Sequence, residues 1–182
     1  MPQPGKRDPA PGPLALVQDL ANTHDIEGGH DSLTDTAALD AFCTAHGLTA
    51  PPARDADLAL CRDLREAVRD ACLAHTGTEM PPALLRRLLR RGPLLLDVDA
   101  TGEAHLIPAP ARDAAGTLIA TVAAAIATAA ANGTWPRLKA CASDICRWVY
   151  YDHSPAGRGR WCTMSICGSR AKMRTYRTRP GS

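Results

Sequence analysis

The N-terminus of this 182-residue chain, MPQPGKRDPAPGPLALV, lacks an apolar core of signal-peptide length, so nothing in the sequence supports secretion. No apolar run reaches the roughly 18–20 residues that a membrane span needs, and no membrane partner is expected. No glycine-rich phosphate cradle follows a strand pattern, and neither a Gly-x-Ser-x-Gly elbow nor a His-Glu-x-x-His pair occurs. The chain is therefore predicted not to be an enzyme. A disulfide framework belongs to exported proteins, so the seven cysteines are expected as thiols or metal ligands in a reducing cytoplasm.

Four of the seven are regularly spaced. Cys141/Cys146 and Cys162/Cys167 each enclose four residues, and fifteen residues separate the pairs. Two such clips can supply four thiolates to one structural zinc, held tetrahedrally at roughly 2.3 Å with no open position for water. Two intervening residues are commoner than four in such clips. His153, between the pairs, is the other possible ligand and is read as a spectator. Cys43, Cys61 and Cys72 each fall within an apolar helical pattern and are expected as small core residues.

The net charge of +2 conceals an asymmetry. From Arg137 to Ser182 ten Lys/Arg face only Asp144 and Asp152, while the rest of the chain has eleven Lys/Arg and seventeen Asp/Glu. A basic end on an acidic body implies a polyanionic partner for that end alone; the other reading is a solvated basic tail.

In chain order, residues 1–13 are rich in Pro, Gly and charge and are expected to be disordered. Residues 14–134 read as a mainly α body with one small β-hairpin. Its helices are expected near 14–23, 37–46, 53–75, 82–91 and 111–132, and the hairpin pairs 94–98 with 103–107 around Asp99-Ala100-Thr101-Gly102. The 53–75 helix should bury Leu58, Cys61, Leu64, Val68, Ala71 and Cys72. Its charged residues, Arg65 and Arg69 among them, should mostly face outward. Arg65-Glu66 reads as a surface salt bridge, or else as a polar network turned inward. His24, Asp19, Asp25, Asn22 and His30 crowd the first loop, as helix-end caps or as a ligand-binding or acid–base group. The basic Arg86, Arg87, Arg90 and Arg91 read as a solvated face or a second nucleic-acid surface.

Residues 137–179 read as a four-cysteine zinc finger: a β-hairpin, with 147–152 pairing back onto 160–164, followed by a helix. On that helix Arg170, Arg174 and Arg177 share one face, while Met173 and Tyr176 share another and pack on the hairpin. Pro180 and Gly181 stop it. Loss of metal is expected to unfold 138–179 and spare the body.

This segment resembles the CGNR zinc finger, found at the C-terminus of a bacterial family of transcription regulators. The match runs through Cys141–Cys146, Trp148, Asp152, Ser154, Arg160-Trp161-Cys162-Thr163-Met164, Cys167-Gly168-Ser169-Arg170, Lys172 and the Arg174/Tyr176/Arg177 tail. Ser169 stands where the family has Asn. The body resembles the ABATE domain that precedes this finger, through Asn22-Thr23, the Leu33/Leu39/Gly47-Leu48 pattern and Leu64-Arg65-Glu66. The resemblance implies a zinc-containing, DNA-binding regulator with one structural Zn2+. The body would dimerise or bind a small-molecule effector. Arg158, Arg160, Arg170, Lys172, Arg174, Arg177 and Arg179 would contact DNA. The other readings are an RNA-binding or protein-interaction module with a structural zinc, and a small-molecule sensor or enzyme working from the body.

Overall fold

The structure is a computed structural model that describes Pro4, residues 7–81 and residues 83–178. Its core is a packing of α1 (Leu14–Asn22), α3 (Asp55–Ala74) and α5 (Ala114–Ala131). Leu16, Val17 and Leu20 of α1 are buried against Cys61, Leu64, Val68 and Cys72 of α3 and Leu118, Ile119 and Val122 of α5. The Asp35 carboxylate caps α2 (Thr36–Ala45) by accepting from Ala38 N, and Asp113 caps α5 by accepting from Gly116 N. A short α4 (Ala83–Leu89) inserts Leu88 into the same core. β1 (His24–Asp25) and β2 (His30–Asp31) make a small ladder in what the sequence reads as loop.

The mainly helical body with its hairpin is as the sequence predicts. β3 (Leu94–Val98) pairs antiparallel with β4 (Ala104–Pro108), and Gly102, at φ +87°, closes the turn. The free thiols Cys43, Cys61 and Cys72 are buried. Burial drives the Cys61 thiol up to about 12, so it stays neutral and apolar.

Three expectations differ from the structure. Helix α5 is an uncharged 18-residue run with a mean hydropathy of 1.8, long and apolar enough by length and composition to cross a membrane. It is alanine-rich, and its Leu118/Ile119/Val122 side is core. The expectation of disorder lies outside the described residues at 1–3, 5 and 6, but residues 7–13 are ordered. There Ala10 is buried and donates its N–H to Gln18 Oε1 at 2.7 Å. Finally, Arg65 and Arg69 of α3 point inward, Arg65 as in the inward-turned reading of Arg65-Glu66 and Arg69, 0% exposed, against expectation.

The C-terminal hairpin is also differently built. β5 (Leu138–Ala140) pairs antiparallel with β6 (Val149–Tyr151), so the first cysteine clip is the hairpin loop. Arg160–Met164 does not return as a strand; its one backbone bond to the clip is Ala142 N to Arg160 O. Strand alternation gives the reason. Leu138, Ala140, Val149 and Tyr151 face the helical core, and Tyr150 faces the cysteines. The β5–β6 ribbon is thus a wall between two interiors, and burial of its apolar side requires the upstream partner. Beyond it, a π-helical turn, Met164–Gly168, leads into α6 (Ser169–Thr178).

Candidate metal centre and nucleic-acid interface

The four predicted thiols converge. Cys141, Cys146, Cys162 and Cys167 are all buried, and their Sγ atoms lie within 4.8 Å of one another. Cys162 Sγ is 3.6 Å from both Cys146 Sγ and Cys167 Sγ. Sulfurs at tetrahedral corners roughly 2.3 Å from zinc would be about 3.8 Å apart, whereas a disulfide needs about 2.05 Å. All four are free thiols. The set therefore fits one closed tetrahedral zinc site.

The electrostatics agree with that fit. Hydrogen bonds from the Cys146 and Cys162 thiols hold Cys141 far below the usual thiol range, with the N–H groups of Cys162 and Ser143 assisting. The hydrogen bond to Cys141 pushes Cys146 up, and a similar bond pushes Cys162 up to about 12. Burial pushes Cys167 up. Four buried sulfurs this close repel one another as thiolates; a divalent metal is the group that would let all four ionise. His153 stays outside, its ring edge-on to Tyr151.

Local structure places each sulfur. Cys141 follows β5 and Cys146 precedes β6, with Cys146 N donating to Ser143 O to close the loop. Arg147 then takes φ +50°, an unfavourable left-handed geometry for a side chain, which turns the backbone into β6. Cys167 sits in the π-helical turn at the head of α6. There Ser169 Oγ donates to Met164 O at 3.1 Å, which is the work this chain gives to the residue replacing Asn.

The loop carrying Arg158 and Arg160 is organised by a buried ion pair that the sequence did not reveal. Lys139 Nζ donates to Asp152 Oδ2 at 3.1 Å and to Gly159 O at 3.2 Å, and it also bonds Gly157 O. Asp152 in turn accepts from Ser154 N, Ser154 Oγ and Gly159 N. Burial alone would raise the Asp152 carboxyl. The bonds from Ser154, Gly159 and Lys139 outweigh it and bring it down to about 2. Its stabilisation is complete above the ordinary carboxylate range and is lost as pH falls through about 2. Asp152→Asn strips one partner from a buried pair and should cost about 3 kcal/mol at pH 7. Urea unfolding of both proteins should show that gap constant above about pH 5 and narrowing below about pH 4. A gap independent of pH would remove Asp152 from this role.

Several basic residues of the segment are committed internally. Lys139 holds the loop, Arg137 donates to Asp152 O and Ser154 O, and Arg147 pairs with Asp70 at 3.3 Å. The candidate contacts Arg158 and Arg160 are exposed on the loop, with Arg160 beside the Trp161 ring. Arg170, Arg174 and Arg177 line one exposed groove of about 590 Å³ with Ser165, Ile166, Ser169 and Met173. Lys172 is exposed but falls on the opposite side of α6 by helical rotation. Arg179, Pro180 and Gly181 lie outside the described residues. Met173 and Tyr176 do not pack on the hairpin: they are 53% and 75% exposed, and between Ser169 and Arg177 the least exposed residue is Ala171.

The body grips this module closely. Asn22 of α1 makes a two-way bond with β6, its Nδ2 donating to Val149 O at 2.7 Å and its Oδ1 accepting from Val149 N at 2.8 Å. Gln18 Nε2 also donates to Val149 O, and His75 Nδ1 lies 2.7 Å from Leu138 O. Arg7 donates from Nε to Cys162 O at 2.6 Å and stacks over the Tyr150 ring. Arg170 pairs with Glu27. The residues crowded in the first loop disperse into separate tasks: Asp19 meets His46, His24 meets Glu66, and Asp25 caps Gly28 N.

A helical body with a four-cysteine zinc finger at its C-terminal end is the class these features define. The chain belongs to the ABATE family, described as "Putative stress-induced transcription regulator", which matches residues 14–133. Residues 137–180 match the CGNR zinc finger. No curated protein matches the chain.

Proposed function

We propose that this chain is a DNA-binding transcription regulator of the cytoplasm. In this reading Cys141, Cys146, Cys162 and Cys167 hold one structural Zn2+, and the finger reads DNA. The observation that carries it is the outer face of α6, where Arg170, Arg174 and Arg177 flank Met173 along one exposed groove, with Arg170 also paired to Glu27 of the body. A major groove admits one α-helix, arginine pairs two-pronged with guanine, and an apolar side chain suits the thymine methyl. Arg158 and Arg160 on the loop then contact phosphates, while Lys172, on the far side of α6, faces away from this groove.

The body serves as the effector-binding or dimerisation unit. A groove of about 480 Å³ between Asp25, Glu27 and Gly28 of the body and Trp148, Thr163 and Ile166 of the finger reaches the metal site, with Cys146, Cys162 and Cys167 in its lining. An effector seated there would act on Arg170 through Glu27.

In-vitro selection of duplexes by the zinc-loaded chain, followed by salt titration, tests the reading. Arg174→Ala should lower affinity for the selected duplex about tenfold or more, the cost of one base contact. Arg158→Ala should weaken all duplexes alike and reduce the salt slope by about one. Equal affinity for selected and random duplexes would favour the other reading, a module for RNA or protein. The exposed Tyr176 and Met164 would suit that role by stacking or apolar contact.

A further inference from the structure

Among the described residues, the exposed large apolar side chains fall into two groups. Ile145, Met164, Ile166, Met173 and Tyr176 belong to the finger. Leu95, Leu96, Val98, Leu106 and Ile107 belong to the β3–β4 ribbon, which the reading above leaves without a task. We propose that this ribbon is a dimerisation arm, packing apolar face to apolar face on the ribbon of a second copy of this chain about a two-fold axis. The proposal gives a surface to the dimerisation half of the functional reading and is independent of DNA recognition.

The register defines the face. Leu94 pairs with Pro108, Leu96 with Leu106 and Val98 with Ala104, so one side of the ribbon is apolar at all six positions. Leu96 is 69% exposed and Val98 57% exposed. A two-stranded ribbon is marginal in water by itself, and an open apolar one invites pairing. The base of the ribbon is rigid. Gly92 lies on the α5 backbone, and a Cβ added there would come 2.4 Å from Ala120 N. The arm is thus presented from a fixed footing.

Charge selects a second copy as the occupant. The turn end of the ribbon is acidic, with Asp99 and Glu103, and the base is basic, with exposed Arg90 and Arg91 just before Gly92. Five strand residues put these ends about 17 Å apart. Two ribbons packed antiparallel about a two-fold axis bring each acidic turn over the basic base of the other copy. One chain therefore carries both halves of a self-complementary surface, as a two-fold interface requires.

Sedimentation of the zinc-loaded full chain without DNA tests the proposal. At about 50 μM, a concentration at which a micromolar dimer is nearly complete, the expected mass is twice the 19.3 kDa of the chain. Leu96→Asp with Val98→Asp should give the single-chain mass, with circular dichroism and zinc content unchanged because both positions are exposed. Glu103→Arg alone and Arg90→Glu with Arg91→Glu alone should each weaken association at least tenfold. Mixing the two charge variants should restore a mixed dimer. A single-chain mass for the unaltered protein, or a dimer that survives the Leu96/Val98 change, would overturn the arm. Failure of the charge variants to recover on mixing would overturn the antiparallel alignment. Because no DNA is present, none of these results depends on whether the finger reads a sequence.

Discussion

Arg69→Ala should destabilise the chain by about 5 kcal/mol, enough to unfold a protein of ordinary marginal stability. Arg69 is completely buried. It donates from Nε to Glu66 at 3.0 Å, from Nη1 to Arg147 O at 3.0 Å, and from Nη2 to Ala21 O and His24 O. Ala21 O belongs to the last turn of α1, where a cation also meets the negative end of the helix dipole. One guanidinium therefore ties α3, the end of α1 and the entry to β6. Truncation leaves the buried Ala21 carbonyl and the half-buried His24 and Arg147 carbonyls without that donor, the buried one at a cost of about 1–3 kcal/mol and the others less, and opens a cavity besides. Glu66 keeps Arg65, which also grips Asp31 with two bonds at 2.7 and 2.9 Å. Urea unfolding checks the magnitude. Arg69→Lys should recover only part of the loss, because an ammonium cannot span the same acceptors. Arg112→Ala, at an exposed position, should shift stability by less than about 0.5 kcal/mol. A loss of only about 1 kcal/mol on Arg69→Ala would mean that the network does not hold the two parts together.

This arginine also marks where the sequence stopped being legible. Arg65 lies four residues after Cys61 and Arg69 four after Arg65, so both occupy the inward stripe of α3. That signal was present, but charge argues for solvent unless buried acceptors are known. Those acceptors are Asp31, Glu66 and the carbonyls of Ala21, His24 and Arg147, and only folding brings them together. The same limit explains β5. Leu138–Ala140 is three residues long and has no periodicity to display, and its pairing with β6 depends on a core supplied by α1 and α3. Lys139 looked like one more cation of a basic tail, since nothing local shows Asp152 arriving across the ribbon. What was legible had its cause close by in the chain. The spacing of the two cysteine clips, the i, i+4, i+7 arginines of α6, the Asp99–Gly102 turn and the helical spans of α1, α2 and α5 each need only a few neighbouring residues to be read. Met173 shows the limit of helical rotation: the sequence set it on a face apart from the arginines and against the hairpin, whereas it is exposed and lines the same groove as Arg170, Arg174 and Arg177.

Removing the metal should release residues 160–178 while leaving β5 and β6 folded, a narrower loss than the 138–179 expected from the sequence. The cysteine interior comprises Cys141, Cys146, Tyr150, Cys162 and Cys167, with Trp148 and Trp161 at its margin. Four of its five buried members are the proposed ligands, so little apolar surface remains to hold it once the thiolates repel or reprotonate. Helix α6 has ten residues and an almost wholly exposed surface, and an isolated helix of that length is marginal in water. The β5–β6 ribbon is different, because Leu138, Ala140, Val149 and Tyr151 lie in the main core and Asn22 clamps Val149 from α1. Zinc binding in small fingers is worth about 10–16 kcal/mol and is inseparable from their folding. Here only the outer part of the finger depends on it. Hydrogen exchange of the zinc-loaded chain, before and after a chelator, should show protection lost by at least about a hundredfold at 164–178 and changed by no more than a few-fold at 138–140 and 149–151. DNA binding should disappear with α6. If the ribbon and α6 lost protection together, the finger would be a single metal-dependent unit and the wall between the two interiors would not exist. If α6 kept its protection without metal, the four thiols would not be what anchors it.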